Sequence, residues 1–140
     1  MPEENAERDF LIQMHVAVYE ECPLHEAAQG SVDLRPDGPV THGPWPAEHV
    51  AAVLRVWRDA GWIDLYFPAL PPSWSLAPAE WQSRLLPDRT LDPADAAELL
   101  DQPERWIVGG ADGHVSPYRT DLGETIDVPK WLDLADGTMA

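Results

Sequence analysis

Val50-Ala51-Ala52-Val53-Leu54-Arg55-Val56-Trp57-Arg58-Asp59-Ala60-Gly61-Trp62-Ile63-Asp64-Leu65-Tyr66-Phe67 is the stretch on which the fold turns. Val50, Val53, Leu54 and Trp57 recur at i, i+3, i+4 and i+7, which places them on one apolar stripe of a helix. Pro46 suits the start of that helix, and Gly61 suits the position just past its end. The β-branched and aromatic run that follows reads as a strand. The spacing therefore predicts a helix over 47–60 running directly into a strand near 62–67, with Leu54 and Trp57 on the buried face. A second strand is expected near 114–120, after Gly109-Gly110-Ala111-Asp112-Gly113, and it should pair antiparallel with the first.

Upstream, Leu11, Met14, Val18 and Cys22 fall on one face of a helix expected from Glu7 to about Cys22, where Pro23 ends it. Residues 25–29 allow another turn and Gly30 stops it. Residues 31–46 are rich in Pro and Gly and read as mostly loop, with a short strand at Val40–Thr41. Downstream, 68–105 is Pro-rich and then weakly helical. Trp81 and Leu85 share a face there, and Asp92-Pro93-Ala94-Asp95 opens a helix, with Asp92 capping it, that buries Ala96, Leu99 and Leu100. Trp106-Ile107-Val108 is a further strand candidate. Ile126, Val128, Trp131, Leu132 and Leu134 form an apolar cluster in 124–140 that should dock on the domain. Nothing repeats at a period of 20–50 residues.

The chain has 140 residues, 25 acidic and nine basic, for a net charge of −16. Leu, Val, Ile and Phe together lie just above the roughly 20% at which a highly charged chain is disordered. Seven Trp move the balance toward a folded domain, because each buries a large apolar surface. A single Cys excludes an internal disulfide framework and any site of several thiolates. The polar, acidic start MPEENAERD is unlike a signal peptide, and no apolar run is long enough to span a membrane, so the expected location is the cytoplasm.

Two pieces of the chain resemble the winged-helix fold of MarR- and PadR-type transcription regulators. Residues 53–63, VLRVWRDAGWI, look like the helix that ends in L-x-x-G-L-I and enters a wing strand. Asp112-Gly113-His114 and Tyr118-Arg119-Thr120-Asp121-Leu122-Gly123 look like the Asp-Gly wing and the return strand Y-x-L-T-x-x-G. The resemblance implies a winged helix and a DNA-binding role, for which Arg55, Arg58 and Arg119 are the matching cations. The chain departs from the pattern in three ways. Residues 68–105 separate the two halves, Arg119 stands where the families have Leu, and the basic surface is missing. Segments 1–30, 31–67, 68–105 and 106–140 are each net negative, whereas phosphate binding needs clustered Lys and Arg. The start of the would-be recognition helix, Pro46-Ala47-Glu48-His49, has no Arg to read a base.

Constellations of catalytic type are missing. Cys22-Pro23-Leu24-His25 has C-x-x-H spacing, but the other histidines, His15, His42, His49 and His114, are scattered, and Cys22 is better used closing an apolar stripe. No Ser sits in a G-x-S-x-G elbow. Residues 109–113 lack the Lys and the following helix of a phosphate loop. No catalytic residue, cofactor or metal is therefore expected. Trp57, Trp62 and Trp106 fall in regular structure and read as core. Trp45 and Trp74 sit in stiff Pro-rich loops and make candidate partner anchors, with Glu48 and Asp112 supplying charge.

The sequence thus reads as one α+β, winged-helix-like domain over 1–140, with 68–105 a helical insertion between the wing strands. Its expected role is a non-enzymatic, cytoplasmic protein-interaction module, in sharpest form an inhibitor or immunity protein that covers a basic, nucleic-acid-handling partner. The alternative is a winged-helix DNA-binding regulator working through the three arginines.

Overall fold

The computed structural model describes residues 2–67, 89–106 and 115–136. Helices α1 (Pro2–Tyr19) and α2 (Leu24–Gln29) come first. Strands β1 (Ser31–Arg35) and β2 (Gly38–His42) follow, then α3 (Ala47–Asp59), β3 (Ile63–Phe67) and β4 (Arg89–Thr90). Helix α4 (Pro93–Asp101), a 3-10 turn (Pro103–Arg105), β5 (Ser116–Arg119), α5 (Asp121–Glu124) and α6 (Val128–Ala135) complete the order. The class is α+β, with two small antiparallel sheets.

Helix α3 organises the core as its periodicity predicts. Val50, Val53, Leu54 and Trp57 are all buried. Gly61 follows at φ 82°, a left-handed conformation that lets the chain turn at once into β3. Strand β3 is the centre of the sheet β4–β3–β5. Its antiparallel register with β5 pairs Ile63 with Arg119, Asp64 with Tyr118, Leu65 with Pro117 and Tyr66 with Ser116. The return strand lies where the sequence places it. A short strand that the sequence reading lacks, β4, pairs with the far end of β3, Tyr66 opposite Thr90.

The two sequence pieces of the resemblance meet in space. Thr120 Oγ1 donates to the Gly61 carbonyl at 2.6 Å and accepts from the Gly123 amide at 3.0 Å. The Thr120 amide donates to the Trp62 carbonyl at 3.0 Å. A Cβ on Gly123 would run into that same Trp62 carbonyl, so only glycine fits the close approach. Thr120 and Gly123 clamp the end of β5 onto the turn between α3 and β3.

Helix α6 brings the tail onto this core through Trp131, Leu132 and Ala135. Trp57 Nε1 donates to the Trp131 carbonyl at 2.9 Å, and Trp131 Nε1 donates to the Ile126 carbonyl at 3.0 Å, so both buried indoles are satisfied. Their rings meet edge to face, 5.1 Å between centroids, with His15 against both and Trp62 against Trp131. Burial, and secondarily Arg119, lowers the His15 pKa, keeping a neutral ring among these aromatics. Val128 and Leu134 of the expected docking cluster are exposed instead, because they lie on the outer side of α6.

Several boundaries differ from the sequence reading. Helix α1 begins at Pro2 and stops at Tyr19, where Glu21 takes a positive φ of 54°, so Cys22 packs half-buried against the core from beyond the helix. Pro93 and Asp95 open α4 as expected, and Ala96, Leu99 and Leu100 are buried, but Asp92 makes no side-chain cap. Trp106 is buried through its position after the 3-10 turn rather than in a strand, with Nε1 donating to the Leu99 carbonyl. Trp81, Leu85, Ile107, Val108 and the turn at 109–113 lie outside the described residues. The largest correction is at 31–46, where the expected loop is a full hairpin, β1 paired with β2 from Ser31–His42 to Arg35–Gly38.

Candidate functional site

The β1–β2 hairpin turns through Pro36 and Asp37. Pro39, which has no N–H, stands opposite Leu34. That pairing costs no ladder bond when Leu34–Pro39 is a non-hydrogen-bonded pair, which leaves Ser31–His42, Asp33–Val40 and Arg35–Gly38 to exchange the backbone bonds. Gly30 precedes the strand at φ 85°, and a Cβ there would collide with the His42 carbonyl.

Alternation then sorts the side chains. Ser31, Asp33, Arg35, Val40 and His42 share one face, and Val32, Leu34, Pro39 and Thr41 share the other. The first face is turned onto α1 by polar contacts. His42 is 8% exposed, with Nδ1 3.0 Å from Asp9 Oδ2 on α1 and Nε2 2.9 Å from Asp33 Oδ2 on β1. Ionised carboxylates only accept, so both contacts are hydrogen bonds at once when the ring carries both protons as an imidazolium. The Asp9 and Asp33 hydrogen bonds accordingly raise the His42 pKa above its ordinary 6.5. His42, aided by Arg35, holds the Asp33 carboxyl below the usual range.

The other face is apolar and open. Leu34 is 90% exposed and Val32 is 56% exposed. All five residues of β1 are exposed, and among the described residues no strand pairs with its outer edge. The hairpin thus buries His42 while Asp33 and Arg35 stay exposed along with Val32 and Leu34, which departs from the usual sorting of a surface sheet.

The residues singled out from sequence are dispersed. Trp45 is half-buried, its ring edge-on to Phe10 at 5.3 Å and its amide bonded to the Ala28 carbonyl, so it covers the core. Glu48 is exposed in the first turn of α3, where the helix dipole favours a carboxylate. Trp74 and Asp112 lie outside the described residues. Arg55 donates to the Leu100 carbonyl at 3.0 Å and pairs with Asp101 at 2.8 Å. Arg58 donates to the Pro93 carbonyl at 3.2 Å, and Arg119 lies over the Tyr19 ring at 4.7 Å. All three arginines thus hold other parts of the fold.

Asp9, Asp33 and His42 escaped sequence reasoning because they are separated by 33 and 9 positions, with no motif to join them. The alternation Val32-Asp33-Leu34-Arg35 was the available signal for a strand. Cys22 does not extend the site: burial, with Glu20 and Glu26 nearby, pushes its thiol pKa up and leaves it a poor nucleophile or ligand. Among the described residues no group of three or more His, Cys, Asp or Glu is placed to hold a metal, and no helix is long and apolar enough to cross a membrane. No protein family, no curated protein and no solved structure matches the chain.

Proposed function

We propose that this chain is a non-enzymatic interaction module, an acidic domain on a winged-helix-like core that covers a basic, nucleic-acid-handling protein in the manner of an inhibitor or immunity protein. The observation that carries the reading is the outward apolar face of the β1–β2 hairpin on a domain of net charge −16. Apolar side chains supply the desolvated contact, and the surrounding charge selects a partner of opposite sign and accelerates its approach.

A second, acidic surface fits the same partner. Asp92, Asp95, Glu98, Asp101 and Glu104 recur every third residue along α4 and the turn after it, and all are exposed. Arg55 pairs with Asp101, and Arg105 lies 3.6 Å from Glu98, so two of the nine basic residues are spent moderating this acidic stripe. Phosphate would be repelled from it.

The test is kinetic. A protein captured by the tagged chain from its native lysate is expected to be basic, and its association rate should fall steeply as salt rises, because steering is screened over about 10 Å at 0.1 M. Duplex DNA is expected to show no shift at roughly 50 mM salt. Tight retention of DNA under that condition, or a captured partner with an acidic contact surface, would overturn the reading.

A further inference from the structure

We infer that the partner is gripped through the outer edge of β1, which accepts an extended segment alternating apolar and basic residues as an added strand. This rests on the reading of the chain as a module for a basic protein and adds how the contact is made. Pro39 has no N–H to give to Leu34, and antiparallel pairs alternate, so the register assigns Leu34–Pro39 and Val32–Thr41 as the non-hydrogen-bonded pairs and turns the backbone N–H and C=O of Val32 and Leu34 away from β2. The opposite edge is unsuited to the same task, since Pro39 has no N–H to donate there. Sheets ordinarily guard such edges with charge, proline or a covering element. Here proline guards β2, and among the described residues nothing pairs with β1.

An added strand continues the alternation of the sheet it joins. Every second side chain therefore lies beside Val32 and Leu34 on the open apolar face, which calls for Val, Ile or Leu. The intervening side chains lie on the face of Asp33, toward α1 with Asp9, and near Asp37 at the turn. His42 and Arg35 already engage Asp33, so attraction comes from the charge of the whole domain, which favours Lys or Arg at these positions. A second copy of this chain would meet the edge with the same −16 and is disfavoured.

The test is a titration of the full chain, labelled for amide NMR, with acetyl-Val-Lys-Val-Lys-Val-Lys-amide. The counterpart with Glu at each Lys and a Val3Lys3 block isomer serve as controls. The alternating Lys peptide should shift the Val32 and Leu34 amides and bind more tightly than either control. Leu34→Pro removes an outward N–H while leaving the β2 ladder intact, and should weaken binding by about tenfold or more, the scale of one lost strand hydrogen bond plus the steric block. Leu34→Ala keeps the N–H and should weaken it less. Val32→Pro should repeat the effect of Leu34→Pro, and unchanged Trp fluorescence would show that both variants fold. Salt-sensitive binding of the Lys peptides that Leu34→Pro and Val32→Pro leave unaltered would overturn the edge while sparing the basic-partner reading. Preference for the Glu peptide, or no binding by any peptide, would overturn the edge proposal, and the former would count against the basic partner too. Val32 and Leu34 amides already protected in the free chain, by its own residues or by a second copy, would overturn it equally.

Discussion

Helix α3 and the β1–β2 hairpin sort their side chains by opposite rules. Along α3 the apolar residues Val50, Val53, Leu54 and Trp57 turn inward, and the cations Arg55 and Arg58 reach across to α4 backbone carbonyls. Along the hairpin His42 is buried between Asp9 of α1 and the exposed Asp33, and Val32 and Leu34 face out. The first arrangement draws its stability from apolar burial. The second holds the hairpin to α1 through the His42–Asp9 hydrogen bond and leaves Val32 and Leu34 exposed. Under the proposed function, stability and recognition fall to different regions, and each can be broken separately.

The largest effect is expected in the core. Trp57→Ala or Leu54→Ala should lower the free energy of unfolding by about 2–5 kcal/mol through lost burial and a residual cavity, measured by chemical denaturation. Trp57→Ala also leaves the Trp131 carbonyl without its indole donor. Gly123→Ala should cost about 1–3 kcal/mol, since the new methyl meets the Trp62 backbone carbonyl and one segment must shift. An unchanged denaturation midpoint in either experiment would show the core to be misplaced.

Effects in the hairpin should be local. His42→Ala is expected to speed amide exchange at Asp33 and Val40 while leaving the α3 amides as they were. The pH dependence carries the same sign. His42 has a raised folded pKa, so its contribution is complete below 6.5 and fades as pH rises through the raised value. Asp33 has a lowered pKa, so its contribution is complete above the ordinary carboxylate range and fades as pH falls through the depressed value. The hairpin should therefore be held most firmly between about pH 4 and 6.5 and loosen on either side. His15, with its lowered pKa, works against global stability as pH falls below 6.5, so the hairpin amides, not the global midpoint, report on the latch. The smallest stability effect belongs to Leu34→Ser, within about 0.5 kcal/mol of the natural chain, as expected for an exposed side chain.

The same contrast explains what could be read from the sequence. Helix α3, β3 and the position of β5 were legible because burial wrote a periodic pattern: four apolar residues on one stripe, a glycine stop, then a β-branched and aromatic run. The clamp of Thr120 and Gly123 on Gly61 and Trp62 joins two distant stretches of the sequence, Thr120 standing 59 residues beyond Gly61. The hairpin was not legible because its Pro and Gly read as loop, although Pro39 takes its place in the ladder opposite Leu34. Its pattern is also unusual, since the one buried residue of the two strands is His42 while Val32 and Leu34 are exposed. Asp9, Asp33 and His42 are joined only by the fold. The stiff loop around Trp45 is legible in the sequence, whereas its edge-on contact with Phe10 is set only by the fold.

The most direct test of this division is residue-resolved amide exchange on the full chain near pH 6, where the hairpin is held. Val53 and Leu54 in α3 are expected to exchange only through global opening. Asp33 and Val40, bonded within the hairpin, should exchange faster than these, and Val32 and Leu34, facing outward, fastest of all. Val32 and Leu34 amides as slow as that of Leu54 would contradict the account, because the hairpin's edge would then be part of the stable fold and not a surface kept open for a partner.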